Sequence, residues 1–139
     1  IVVDTSYSTS GELVKKFLRE TFTILSETDS FFRKRKIHII QCDELVHSDI
    51  TVTGDTDIDI LINNFELAGG GNTDFRPAFE YVNNLIDTGE IKKLQGLLYF
   101  TDGKGKYPKK KMPYNTAFVF IDKLSETAVP AWAMKVSLE

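Results

Sequence analysis

Short, unbroken apolar runs alternate along the chain with stretches in which apolar residues return every three or four positions. Ile1-Val2-Val3-Asp4, Gly96 to Asp102 and Thr116 to Asp122 are continuous runs of strand length, the pattern of strands buried on both faces of a parallel sheet. Ile37 to Asp43 and Leu45 to Thr53 flank an Asp43-Glu44 turn and predict a hairpin, and Lys135 to Leu138 predicts a weaker terminal strand. Between the first two strands, Leu13, Val14, Phe17, Leu18, Phe22, Ile24 and Leu25 follow a helical period, which predicts a helix over Ser10 to Thr28 with Thr9 and Glu12 as a capping box. Phe75 to Ile86 predicts a second helix, with Pro77 in its first turn and Asp87-Thr88-Gly89 as its stop. Asp57 to Phe65 holds a shorter one. Strands alternating with helices predict an α/β fold, a three-layer αβα sandwich with a mostly parallel sheet. Leu98, Phe100, Phe118 and Phe120 are expected to be buried together.

With 139 residues the chain has room for one domain, whose folding buries about two thirds of the surface of the unfolded chain. It begins without Met and reads as an excised C-terminal segment of a longer protein. Seventeen basic and twenty acidic residues give a net charge of −3, which speaks against a nucleic-acid binder with a basic surface. No apolar run reaches the length of a membrane span, so neither nucleic acid nor membrane is expected as a partner. The single cysteine, Cys42, excludes an intrachain disulfide, fits a cytoplasmic setting and reads as a small buried hydrophobe. His38 and His47 fall on strands away from the polar loops, and read as ordinary surface or core residues. Lys104 to Lys111 is a basic loop with Gly and Pro breakers, read as exposed and able to steer an acidic partner.

The chemistry lies at the strand ends, where open parallel sheets bind their ligands. Asp4 opens Asp4-Thr5-Ser6-Tyr7-Ser8, with a carboxylate and two hydroxyls on alternate residues. Gly69-Gly70-Gly71-Asn72-Thr73 adds a hydroxyl before a helix, and Asp102 ends a second buried strand. Asp4, Ser6, Ser8, Thr73 and Asp102 form an all-oxygen set suited to Mg²⁺ or Mn²⁺, with Ca²⁺ a further candidate, and unsuited to zinc.

These motifs resemble the metal-ion-dependent adhesion site of von Willebrand factor A domains, in Asp4-x-Ser6-x-Ser8, in Thr73 after a glycine run and in Thr101-Asp102-Gly103. Ile40 to Asp43, Gly70 to Phe79 and Val129-Pro130-Ala131-Trp132 resemble a bacterial group within that superfamily. In that group the domain closes a longer protein with a metallopeptidase-like region, often associated with MoxR-type AAA+ ATPases. The resemblance implies a Rossmann-like sheet of about six strands with one antiparallel edge strand. It also implies direct metal ligation by the three hydroxyls, with the two aspartates acting mostly through water. The expected function is a non-enzymatic module in which an Asp or Glu of a protein partner completes the coordination. Two alternatives stand beside it: metal-assisted hydrolysis or phosphoryl transfer at the same oxygens, and a metal-free scaffold. Tyr7, where glycine is common, and Lys104 and Lys106 beside Asp102 are the features that favour the last.

Overall fold

A computed structural model describes residues 1–6, 11–26, 36–101, 105–120 and 129–137. In chain order the elements are β1 (Val2–Asp4), α1 (Gly11–Ser26), β2 (Ile37–Cys42), β3 (Val46–Val52), α2 (Ile58–Asn63), α3 (Arg76–Asp87), β4 (Leu97–Thr101), β5 (Thr116–Phe120) and β6 (Met134–Ser137). The strands form one six-stranded sheet in the order β3-β2-β1-β4-β5-β6. All neighbours pair in parallel except β2 and β3, which form the predicted hairpin and give the sheet one antiparallel edge. This is a Rossmann-like α/β fold, with strand order reversing between β1 and β4.

Two apolar cores lie on the two faces. On one, α1 brings Val14, Phe17, Leu18 and Phe22 and α2 brings Ile62 against Val3, Ile39, Phe100 and Val119. Phe17 stacks on Phe100, with ring centroids 4.5 Å apart. On the other, α3 packs Ala78, Phe79 and Val82 on Val2, Ile40, Tyr99, Phe118 and Phe120. The stripe on α1 is narrower than its apolar spacing suggests, since Leu13 is 39% and Ile24 67% exposed. Pro77 sits in the first turn of α3, where its missing N–H costs nothing, and the Asp74 carboxylate accepts from the Arg76 amide at 3.0 Å. Gly89, at φ +82°, follows the C-cap Thr88 as the expected stop.

The expectation of one shared burial for four core residues needs correction. Side chains alternate across a strand, so Leu98 and Phe100 face the α1 core while Phe118 and Phe120 face the α3 core. Leu98 is only half-buried at the start of β4. The basic loop is also more than a solvated connection: its lysines 106 and 109–111 are exposed, but Tyr107 packs on Phe75 and Phe118 at 4.6 and 4.9 Å. β6 is exposed at all four of its residues, as its sparse pattern predicts for an edge. Thr9, half of the expected capping box, lies outside the described residues.

Phe118→Ala should lower stability by about 3–5 kcal/mol, whereas Leu98→Ala should cost about 1 kcal/mol. Urea denaturation of both variants measures the difference; equal losses would contradict the two-core arrangement.

Candidate functional site

β1 and β4 are neighbours where the strand order reverses, and Val3 pairs with Phe100, so Asp4 and Thr101 come next along both strands. Both are fully buried. Thr101 Oγ1 donates to Asp4 Oδ2 at 2.6 Å, and the Ser6 amide donates to Asp4 Oδ1 at 2.9 Å. The carboxylate is therefore held in one orientation, with Ser6 folded back over it at 2% exposure. The loop that leaves β1 is stitched on both sides. The Thr5 amide donates to the Cys42 carbonyl at 3.0 Å, and the Thr5 carbonyl accepts from the Gly70 amide at 2.8 Å.

Close approach explains the glycine run. Gly69 and Gly70 have φ of +130° and +100°, and a Cβ on Gly69 would stand 2.6 Å from Thr5 Oγ1. A Cβ on Gly71 would lie 2.9 Å from Asp43 Oδ2. Asp43 is the hub of this segment. Its Oδ2 accepts from the Gly71 amide at 3.0 Å, its Oδ1 from the Leu45 amide at 2.9 Å, and His47 Nε2 lies 2.7 Å from Oδ1. Its backbone carbonyl accepts from the Asp74 amide at 3.2 Å. Buried Gln41 adds a second clamp, with Oε1 accepting from Ala68 at 2.7 Å and Nε2 donating to Glu66 at 3.1 Å. Thr73 rides on this clamped segment, half-buried, with its methyl group against Gly105, where a Cβ would be 2.7 Å away. The Asp74 backbone also forms an isolated parallel β-bridge with that of Lys106, and its carboxylate takes Arg76 Nε at 2.9 Å and Nη2 at 2.7 Å. That guanidinium holds the Asp74 carboxyl below its ordinary value.

A family model described as "VWA-like domain (DUF2201)" matches residues 1–139. The chain belongs to this VWA-like domain family. No curated protein and no solved structure matches it.

Of the five oxygen residues expected from the sequence, the VWA-like domain places Asp4 and Ser6 in direct contact, and carries Thr73 on the clamped loop at the same carboxyl end of the sheet. Ser8 and Asp102 lie outside the described residues, as do Tyr7 and Lys104. Thr101, expected only as part of a strand-end motif, orients Asp4 directly. Asp43 and Gln41 were not expected to organise the site. Their signal is two polar residues on alternate positions at the end of an otherwise apolar strand.

Both histidines lie on the hairpin strands, as expected, and each meets a carboxylate. His47 is joined through Asp43 to the glycine run, because the β2–β3 hairpin folds it back four residues onto that carboxylate. His38 meets Asp49, with Nδ1 2.8 Å from Oδ1. Cys42 behaves as the expected buried hydrophobe, its thiol pushed up to about 12 chiefly by burial.

Burial pushes the Asp43 carboxyl up, but the Leu45 amide, His47 and the Gly71 amide outweigh it, and the group lies below its ordinary value. A folded value below that of the unfolded chain, about 3.9, means that the ionised group favours the fold at pH above that value. The contribution is lost as pH falls through the folded value. Asp43→Asn should therefore cost about 1–3 kcal/mol at pH 7 and progressively less as the pH is lowered below about 3.9. Denaturant titrations of both proteins across this range test it; a loss independent of pH would contradict it.

Proposed function

We propose that this VWA-like domain is a non-catalytic protein-interaction module in which an Asp or Glu of the partner completes the coordination of Mg²⁺ or Mn²⁺. The ion would be held by Asp4, Ser6, Ser8, Thr73 and Asp102. Family membership supports protein interaction in general. The observation that carries the metal-dependent form is the Asp4 carboxylate, fully buried at the reversal of strand order and fixed by the Ser6 amide and Thr101 Oγ1.

The donor chemistry fits a hard ion, since carboxylate and hydroxyl oxygens are what Mg²⁺ and Mn²⁺ prefer. Among the described residues no three His, Cys, Asp or Glu side chains gather as a metal cluster; on this reading the hydroxyls of Ser6, Ser8 and Thr73 would be the direct ligands, with Asp4 and Asp102 acting mostly through water. Neutral hydroxyl donors leave much of a 2+ charge unquenched, and a bound ion there supplies a strongly attractive centre for an external carboxylate. Asp4 sets the orientation, Ser6 closes over it, and the Asp43 and Gln41 clamps keep Thr73 from drifting. Exposed Lys106, Lys109, Lys110 and Lys111 add long-range attraction for an acidic partner. A cytoplasmic MoxR-type AAA+ ATPase is the proposed class of partner.

A hydrolytic or phosphoryl-transfer reading draws on one observation, the link from His47 through Asp43 to the glycine run, which would supply a base. Turnover of a phosphate ester that is lost in both Asp4→Ala and His47→Gln would favour it.

In calorimetric titration the wild-type domain should bind Mn²⁺. Asp4→Ala and Thr73→Ala should each weaken binding at least tenfold, about 1.4 kcal/mol, while remaining folded. Absence of divalent binding at millimolar ion would leave the metal-free scaffold as the reading. Partner binding should vanish in excess chelator, and affinity unchanged by chelator would place the interface elsewhere.

A further inference from the structure

At the end of the sheet opposite Asp4, the starts of the parallel strands border a cavity of about 860 Å³. Val2 on β1, Ile40 on β2, Leu97 at the start of β4 and Val82 on α3 are buried members of its wall, and half-buried Leu94 joins them from the connection between α3 and β4. Packing in a domain interior leaves few voids larger than one water molecule, so a hollow of this size is no packing fault. Its volume falls within the range of small-molecule sites, roughly 300–1,000 Å³.

The lining also carries charge where it opens to water. Lys36, Lys92 and Lys93 are exposed members of it, and among the described residues Glu90 is its one acidic member. Lys36 Nζ donates to Glu90 Oε1 at 2.8 Å, so these two offset each other and the charges of Lys92 and Lys93 remain in excess. Asp49, whose charge also acts on Glu90, is already met by His38 Nδ1 at 2.8 Å and by the Tyr81 hydroxyl at 2.6 Å. Apolar walls beneath a cationic opening complement a molecule with an apolar body and one negative group. Such a molecule buries its body and keeps its charge near water, which avoids the cost of taking an ion into the interior.

We propose that this cavity is a second binding site, for an amphipathic anion with a medium-chain hydrocarbon body in the cavity and one carboxylate at the opening near Lys92 and Lys93. The part played by the lysines is electrostatic and needs no single fixed contact. The site is separate from the oxygen cluster at the other end of the sheet, so neither reading depends on the other.

Decanoate, decan-1-ol and decylammonium share one body and differ in the charge of the head, and titration of the protein with each, at low salt and below micelle-forming concentrations, tests the proposal. The wild-type protein should bind decanoate at least about fivefold more tightly than decan-1-ol, and decylammonium more weakly than either. Lys92→Gln combined with Lys93→Gln should bring the three affinities within about twofold of one another. Leu94→Trp, which fills the cavity, should weaken all three at least about tenfold. In the wild-type protein the methyl ¹³C resonances of Val82, Leu94 and Leu97 should shift first on addition of decanoate, a readout that stands even if Leu94→Trp fails to fold. Shifts centred elsewhere, equal affinities for decanoate and decylammonium, a preference for decanoate that survives the double lysine variant, affinities untouched in folded Leu94→Trp or no saturable binding would overturn it.

Discussion

A carboxylate taken out of water must be met by donors, and the Asp4 carboxylate is the buried group around which the carboxyl end of this sheet is arranged. Its position is a consequence of topology. β1 is three residues long and lies between β2 and β4, so each of its side chains is covered, the last one included. The parallel pairing with β4 carries Thr101 to one carboxylate oxygen, and the turn into α1 brings the Ser6 amide to the other. An apolar residue at position 4 would remove the charge and the reason for both contacts. The alignment of β1 on β4, the direction in which the chain leaves β1 and the place of Ser6 all meet at this one group.

A second buried carboxylate extends the arrangement. Asp43 follows β2 and ties the glycine run to the hairpin, while the Thr5 carbonyl ties the same run to the loop after β1. Glycine is required where these contacts leave no space for a side chain, at Gly69 against Thr5 and at Gly71 against Asp43. The consequence is a division of labour between the two ends of the sheet. The carboxyl ends of the strands gather hydroxyls, carboxylates and backbone amides, and the amino ends border a largely apolar pocket lined by Val2, Ile40, Val82, Leu94 and Leu97.

Much of the fold was legible because its signals are local. The runs at 97–101 and 116–120 announce covered parallel strands, and Val14, Phe17, Leu18 and Phe22 announce the helix that covers them. The strand-end loops that carry Asp4, Ser6 and Thr73 were legible from alternation and from the glycines before Thr73. What stayed hidden depends on partners distant in sequence. Gln41 and Asp43 reach segments 25 and 28 residues away, and Thr101 reaches Asp4 across 97 residues. Tyr107 was concealed in a basic loop whose charge suggested solvation throughout, although its ring fills a gap beside Phe75 and Phe118. Leu98 shows the limit of reading an apolar run as one buried unit, since position within the strand and side of the sheet both decide burial.

The central claim is that the oxygen cluster at Asp4 takes a divalent ion. Substoichiometric Mn²⁺ added to the ¹⁵N-labelled domain locates such an ion directly, because paramagnetic broadening falls off steeply with distance. Our account predicts that the amide signals of Ser6 and of residues 70–73 broaden first, and recover on addition of excess Mg²⁺. Broadening that is absent, or that centres on the exposed acidic residues Asp55, Asp57 and Asp59, would contradict it.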